Sequence, residues 1–416
     1  MAARSVADVP TFVVVGAGLA GGKAVETLRA EGFDGRLVLV GHEDELPYER
    51  PPLSKDYLQG KAERDSVFVH DVDWYREHDV ELRLGSEAVR LDRVGHEVEL
   101  AGLERVPYDR LLLTTGSRPR RLDVPGAELD GVHYLRSLGD SERIRATIAS
   151  ARRLVVVGAG WIGLEVTAAA RRADVEVVLL ETAELPLLRV LGREMATVFA
   201  DLHRAHGVDL RTGVQVAEVT GDGDRATGVR LGDGSVVEGD AVLVGVGIAP
   251  NVELAADAGL AVDDGIVVDA FLRTSDPDVF AAGDVASAEH PLLGRRIRVE
   301  HWANALNQPQ AAARAMLGQD VAYDRVPYFY SDQYDLGMEY SGWVGREDVD
   351  RVAVRGNRDG REFVAFWQDA EGRVLAGMNV NVWDVTDPIQ ALVRSRQPVD
   401  PGRLSDPAVP LDELLG

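Results

Sequence analysis

The hexapeptide Val-Val-Val-Gly-Ala-Gly stands twice in this 416-residue chain, at 13–18 and at 155–160. Each copy runs on into a Gly-x-Gly-x-x-Gly pattern, with Gly16, Gly18 and Gly21 in the first and Gly158, Gly160 and Gly163 in the second. The flanks give these glycines meaning. Residues 11–15 are a short β-branched run, residues 19–29 read as a helix, and residues 36–40 read as the next strand. The second copy repeats the order, with a strand at 154–157, a helix at 163–172 and a strand at 175–180. In that context the glycines permit a tight turn, close approach of backbone to a pyrophosphate, and close packing of helix on sheet. The helix N-terminus adds free N–H groups and the positive end of a dipole. Two dinucleotide cradles in series are therefore expected.

Later landmarks repeat as well. The strand Leu-Leu-Leu ahead of Thr114, Thr115 and Gly116 follows the first unit, and the strand 242–244 ahead of Gly247 follows the second. Thr115, Gly116 and Gly247 join the candidate cofactor residues. A third apolar strand, residues 278–286 with a Gly-Asp end, is expected to return to the first domain. The fold class is α/β, with two Rossmann-like domains and a small α+β tail. The expected boundaries are 1–124 with 248–328 for the first domain, 125–247 for the inserted one, and 329–416 for the tail. In the tail, residues 362–367 and 374–380 read as an antiparallel hairpin and residues 387–396 as a closing helix.

An acidic residue at the tip of the second strand normally accepts hydrogen bonds from an adenosine ribose. Glu181 lies 23 residues beyond Gly158, against an expected spacing of about 20. Its charge repels a 2′-phosphate, and no Arg or Lys follows before Arg189, so NADH is expected over NADPH. Glu43 is the corresponding candidate in the first unit.

Composition excludes more than it assigns. The chain has no cysteine, which rules out within it a redox disulfide, a thiolate nucleophile and a cysteine-held iron–sulfur cluster. No metal site is expected, and His203 and His206 read as a helix end. The net charge of −24 disfavours nucleic acid as a partner. No apolar run has the length of a membrane span, residues 1–10 lack the apolar stretch of a signal peptide, and a cytoplasmic protein is expected. Lysine occurs only at 23, 55 and 61 in an arginine-rich chain, which draws attention to Lys55 inside its motif.

Four further stretches carry a family resemblance: Tyr-Glu-Arg-Pro-Pro-Leu-Ser-Lys at 48–55, Trp-Ile-Gly-Leu-Glu at 161–165, Phe-Ala-Ala-Gly-Asp-Val-Ala at 280–286 with the stretch 299–308, and Ser-Asp-Gln-Tyr-Asp-Leu-Gly-Met-Glu-Tyr at 331–340. Together the chain resembles the flavin-dependent ferredoxin reductases of the putidaredoxin reductase type, which are similar to glutathione reductase in fold but lack its redox disulfide. The resemblance implies FAD in the first, split domain and NADH in the inserted one. It implies that Asp284 bonds the flavin's ribityl chain, that Lys55 sits beside the flavin and pairs with Glu165, and that Trp302 lies against the ring system. Ala20, Val89 and Arg136 match positions that contact FAD in relatives, and Arg50 is a candidate for the pyrophosphate. Trp161 and its neighbour Ile162 open the nicotinamide side, Trp161 as a candidate gate. His301 reads as structural.

The activity so implied is hydride transfer from NADH to FAD, followed by single-electron delivery to a [2Fe–2S] ferredoxin that serves a cytochrome P-450 or Rieske-type oxygenase. Lys55 and a helix beginning near Leu306 are expected to stabilise the reduced flavin, and Arg295, Arg296 and Arg298 to steer the ferredoxin. A monomer is expected. Two alternatives stay open: an NADH:rubredoxin reductase or NADH oxidase on the same scaffold, and a redox-controlled interaction protein of the apoptosis-inducing-factor type.

Overall fold

Apolar residues at every position from Phe12 to Val15 leave no polar face for solvent, so Thr11–Val15 forms a strand covered on both sides. The computed structural model describes residues 9–345 and 347–415. Eight of the ten residues read for a signal peptide lie outside them. Thr11–Val15 pairs in parallel with Arg36–Val40 on one side and Arg110–Leu113 on the other. Val80–Arg83 and Val279–Ala281 complete the five-stranded sheet at its two edges, both parallel. Pairing of Val279–Ala281 with Arg110–Leu113 confirms the expected return of that strand to the first sheet.

On this sheet lies helix Leu19–Ala30, whose buried face holds Gly21, Gly22 and Ala24. Small residues let helix Trp302–Met316 approach it, with Ala311, Ala312, Ala313 and Ala315 in the same core. This second helix starts at Trp302, four residues ahead of the expected Leu306. Pro309 removes an internal hydrogen bond and normally argues against an earlier start, but burial of Asn304 and Gln308 holds the first turns in place.

The second glycine unit repeats this plan. Arg153–Val157 pairs in parallel with Glu176–Glu181 and with Ala241–Val244, and Asp209–Thr212 and Val132–His133 form the edges. Helix Trp161–Arg172 follows the glycine turn. The tail is a five-stranded antiparallel sheet in the order Tyr328–Gln333, Leu336–Gly342, Val374–Val380, Glu362–Gln368, Arg351–Asn357, closed by helix Thr386–Ser395. Both the expected hairpin and the closing helix are present.

By compactness the chain divides into two units. One holds the described residues up to Arg50, Arg64–Arg118 and Ala249–Pro327. The other holds Pro51–Glu63, Pro119–Ile248 and the described part of the tail from Tyr328. In the latter, Phe329, Met338 and Tyr340 of the tail share one core with Leu164, Val166 and Phe199. The short segment 51–63, with Lys55, belongs to this second unit. No described helix is long and apolar enough to cross a membrane.

Candidate functional site

The two glycine turns have the same build. Gly16 takes φ +118°, and a Cβ there would lie 2.1 Å from the Thr114 carbonyl oxygen; a Cβ on Gly21 would lie 2.0 Å from the Gly16 oxygen. In the second turn Gly158 takes φ +98°, with a Cβ 2.3 Å from the Gly245 oxygen, and a Cβ on Gly163 would lie 2.1 Å from the Gly158 oxygen. The outer glycines are thus required by the fold. The middle glycines differ: a Cβ on Gly160 meets nothing within 4 Å, and one on Gly18 meets only the Arg50 guanidinium at 4.0 Å. Both following helices begin without a side-chain cap. Free first-turn N–H groups above an open middle glycine fit a pyrophosphate at each turn.

Around the first turn, Glu43 accepts from the Tyr48 hydroxyl at 2.6 Å and pairs with Arg50 at 3.3 Å. Arg50 also lies over the Tyr48 ring, 5.1 Å from its centre. Glu43 is therefore tied to the cation that stands at Gly18. Thr115 donates from its hydroxyl to the Asn251 carbonyl at 2.7 Å, and the Asn251 N–H donates to the Gly116 carbonyl at 2.9 Å, which fixes that strand end. Asp284 sits in the single 3-10 turn Gly283–Val285 and accepts from the Ser117 hydroxyl at 2.7 Å. Gly283, at φ +80°, brings this turn against Ala20, whose Cβ would be 3.1 Å from a Cβ placed there. Ala20 and Asp284 are thereby brought to the same glycine turn. Trp302 opens its helix, with His301 at the cap position. Loss of hydration pushes the His301 imidazole down to about 4, the Asp284 charge opposing.

Around the second turn, Glu181 ends its strand and accepts from the Ala159 N–H and the Ala183 N–H, both at 2.8 Å. Its carboxylate is fastened to the glycine turn itself. Gly247, at φ +105°, accepts from the Arg120 N–H at 2.9 Å. Ile162 is 42 % exposed beside the open middle glycine. Trp161 packs edge-on against Phe199 and Phe329, with ring centres 5.5 and 5.2 Å apart. An indole held on two sides is a wall more than a swinging gate.

Lys55 and Glu165 form an ion pair at 2.7 Å, with side-chain exposures of 13 and 4 %. Glu165 also accepts from the hydroxyls of Ser54 at 2.5 Å and Ser331 at 2.7 Å. Lys55 lies 5.3 Å from the centre of the Tyr330 ring. A buried carboxylate so surrounded is well satisfied, and removing its cation alone costs about 3–5 kcal/mol. Sequence reasoning paired Lys55 with Glu165 but missed Ser54, Ser331 and Gln333. Ser331 and Gln333 stand at alternate positions of one strand in a quoted motif, and that period-two spacing was the available signal.

Other expectations land elsewhere. Val89 sits at a bulge of strand Ala88–Asp92, 51 % exposed, and lines a surface cleft of about 680 Å³ with Arg93 and Asp276. The Arg136 N–H donates to Asp140 at 3.0 Å, at the capped start of helix Leu138–Ser150 in the second unit. The arginine cluster is largely structural: Arg296 donates to the carbonyls of Val268 and Ser287, and Arg298, 10 % exposed, is paired with Asp264 and Glu300. His203 is buried against Gln333, and His206 stacks on Tyr334 with ring centres 3.7 Å apart.

Residues 10–309 match the pyridine nucleotide-disulphide oxidoreductase family, and residues 328–415 match the reductase C-terminal family. The chain is 41 % identical to rhodocoxin reductase of Rhodococcus erythropolis over 86 % of this chain and 83 % of that one. It is 39 % identical to putidaredoxin reductase of Pseudomonas putida over 97 % of this chain and 96 % of that one. The crystal structure of a covalent putidaredoxin reductase–putidaredoxin complex superposes with a TM-score of 0.94 at 39 % identity, covering 98 % of each chain. With both glycine cradles, the Lys55–Glu165 pair and the C-terminal sheet in place, the chain belongs to the pyridine nucleotide-disulphide oxidoreductase family, among the ferredoxin reductases of the putidaredoxin reductase type.

Proposed function

We propose that this chain is an FAD-dependent NADH:ferredoxin oxidoreductase that supplies electrons to an oxygenase through a [2Fe–2S] ferredoxin. The observation that carries this reading is the pair of glycine cradles, one in each compact unit, in a chain with no cysteine. A chain that holds two dinucleotides and no dithiol has to pass its electrons to an acceptor outside itself. The relatives' names point the same way, since one acts on rhodocoxin and another on putidaredoxin.

When bound, FAD accepts hydride from NADH and releases electrons one at a time, the conversion a one-electron acceptor requires. FAD would be held by Gly16, Gly18, Ala20, Gly21, Arg50, Thr115, Gly116 and Asp284, with Trp302 as a further contact. Arg50 gives the pyrophosphate a fixed cation, while Glu43 holds that cation by a carboxylate and a shared tyrosine. NADH would be held by Gly158, Gly160, Trp161, Ile162, Gly163, Glu181 and Gly247. Glu181 admits an adenosine ribose and repels a 2′-phosphate. Lys55, held in place by its pairing with Glu165, supplies positive charge that favours the reduced state of bound flavin. The domain assignment we propose is FAD on 1–124 and 248–328, NADH on 125–247 and a C-terminal domain on 329–416. A monomer in the cytoplasm, where NADH is abundant, completes the reading.

The test is NADH-driven reduction of a panel of [2Fe–2S] ferredoxins and a rubredoxin by the FAD-loaded chain, with oxygen consumption followed alongside. Fast reduction of a ferredoxin with little oxygen use is the expected result. Oxygen use without any protein acceptor would overturn it.

A further inference from the structure

Ser331 and Gln333 belong to the 331–340 stretch, yet neither dinucleotide cradle uses them. Both are buried, at 1 and 0 % exposure, on one face of strand Tyr328–Gln333. The Gln333 side-chain amide nitrogen lies 3.1 Å from Ser331 Oγ, and its oxygen lies 2.9 Å from His203 Nε2. The Tyr334 hydroxyl is 3.3 Å from His203 Nδ1. With Ser331 on Glu165 at 2.7 Å and Glu165 on Lys55 at 2.7 Å, these groups form one continuous chain inside the second unit.

Counting protons fixes the direction of every link. A carboxylate paired with an ammonium can only accept. Ser331 has one hydroxyl proton, which goes to Glu165, so its oxygen is left to accept from Gln333. Gln333 must then present its NH2 group to Ser331 and its carbonyl to His203. His203 must carry its proton on Nε2, which leaves Nδ1 to accept from Tyr334. Burial pushes the His203 pKa down to about 4, so the neutral ring this requires is the form present at neutral pH. Tyrosine, histidine, glutamine and serine each donate to the next, and all point towards Glu165. Chains of this kind polarise cooperatively in a low-dielectric interior.

We propose that Ser331, Gln333 and His203 are positioning residues that hold the Glu165 carboxylate against Lys55 through this polarised chain and so set the charge Lys55 contributes to the redox equilibrium of bound FAD. This rests on the reading that Lys55 acts on the flavin.

The experiment is redox titration of the FAD-loaded chain in wild type, K55M, S331A, S331T and Q333M, with nitrogen spectra of histidine-labelled wild type. S331A and Q333M should shift the midpoint potential in the same direction as K55M. The expected size is up to about tenfold in the oxidised-to-reduced ratio, about 30 mV for a two-electron couple. S331T, which keeps the hydroxyl, should stay at the wild-type value. His203 should be the neutral Nε2–H tautomer at pH near 7, a readout that needs no variant to fold. A shift in K55M with none in S331A and Q333M would sink the chain alone. So would S331T behaving as S331A, or an Nδ1–H tautomer. An unmoved potential in K55M would sink the underlying reading of Lys55, and this proposal with it.

Discussion

Glu181 is held by two backbone N–H groups, one of them from the glycine turn, so its charge stays in place whatever dinucleotide arrives. Replacing it by Gln removes the repulsion of a 2′-phosphate but keeps the shape. The ratio of kcat/KM for NADPH to that for NADH should rise by about tenfold, in line with about 1.4 kcal/mol of lost discrimination. Gly16→Ala should do the opposite kind of damage. Its Cβ would meet a carbonyl at 2.1 Å in a left-handed region, so FAD content after purification should fall sharply while the second cradle still binds NADH analogues. His203 sets a pH limit. Its imidazole titrates near 6.5 when unfolded and is pushed down to about 4 in the fold. Between those values the unfolded chain binds the extra proton. Stability is therefore complete above about 6.5 and is lost as pH falls towards 4, by on the order of 3 kcal/mol. The thermal midpoint should drop over that window, and less steeply in His203→Gln. The glycines and Glu181 were legible because their meaning is local. Ser54, Ser331 and Gln333 were not, because they meet Glu165 or His203 across 111, 166 and 130 residues.

Elements differ in how openly they announce their ends. Helix Leu138–Ser150 starts on a full capping box, with Ser137 accepting from the Asp140 N–H and the Asp140 carboxylate accepting from the Ser137 N–H. Ser137→Ala should cost about 1 kcal/mol, seen as a lower urea midpoint, and should disturb the Arg136 backbone that shares the Asp140 carboxylate. Helix Trp302–Met316 hides its start, because Pro309 reads as a boundary and lies inside it. Burial overrode propensity there, as tertiary packing routinely does. The hairpin turn at Tyr334 is also hidden. Tyr334 takes φ +55° without being glycine, and its stacking on His206 and bond to His203 hold it there.

At the scale of the whole molecule, composition makes two predictions. A chain without cysteine should keep full NADH-driven ferredoxin reduction when it is treated with a thiol-alkylating reagent that is quenched before ferredoxin is added, and loss of activity would show that the reagent modifies another side chain the reaction needs. The net charge of −24 matters for partners. With Arg296 and Arg298 occupied within the fold, long-range repulsion should govern encounter with an acidic ferredoxin. Its reduction rate should rise between about 0.01 and about 0.1 M salt, where the screening length shrinks from about 30 to about 10 Å. A falling rate would show that a basic patch elsewhere dominates. The discontinuous first sheet has a consequence in time as well as in space. Its edge strand Val279–Ala281 pairs with Arg110–Leu113, so 165 residues separate Leu113 from Val279. At about 5–20 residues added per second, a ribosome leaves that strand edge open for roughly ten to thirty seconds of synthesis. During that interval the growing chain exposes a sticky β edge, and slow translation through 114–278 is when it most needs a chaperone's cover.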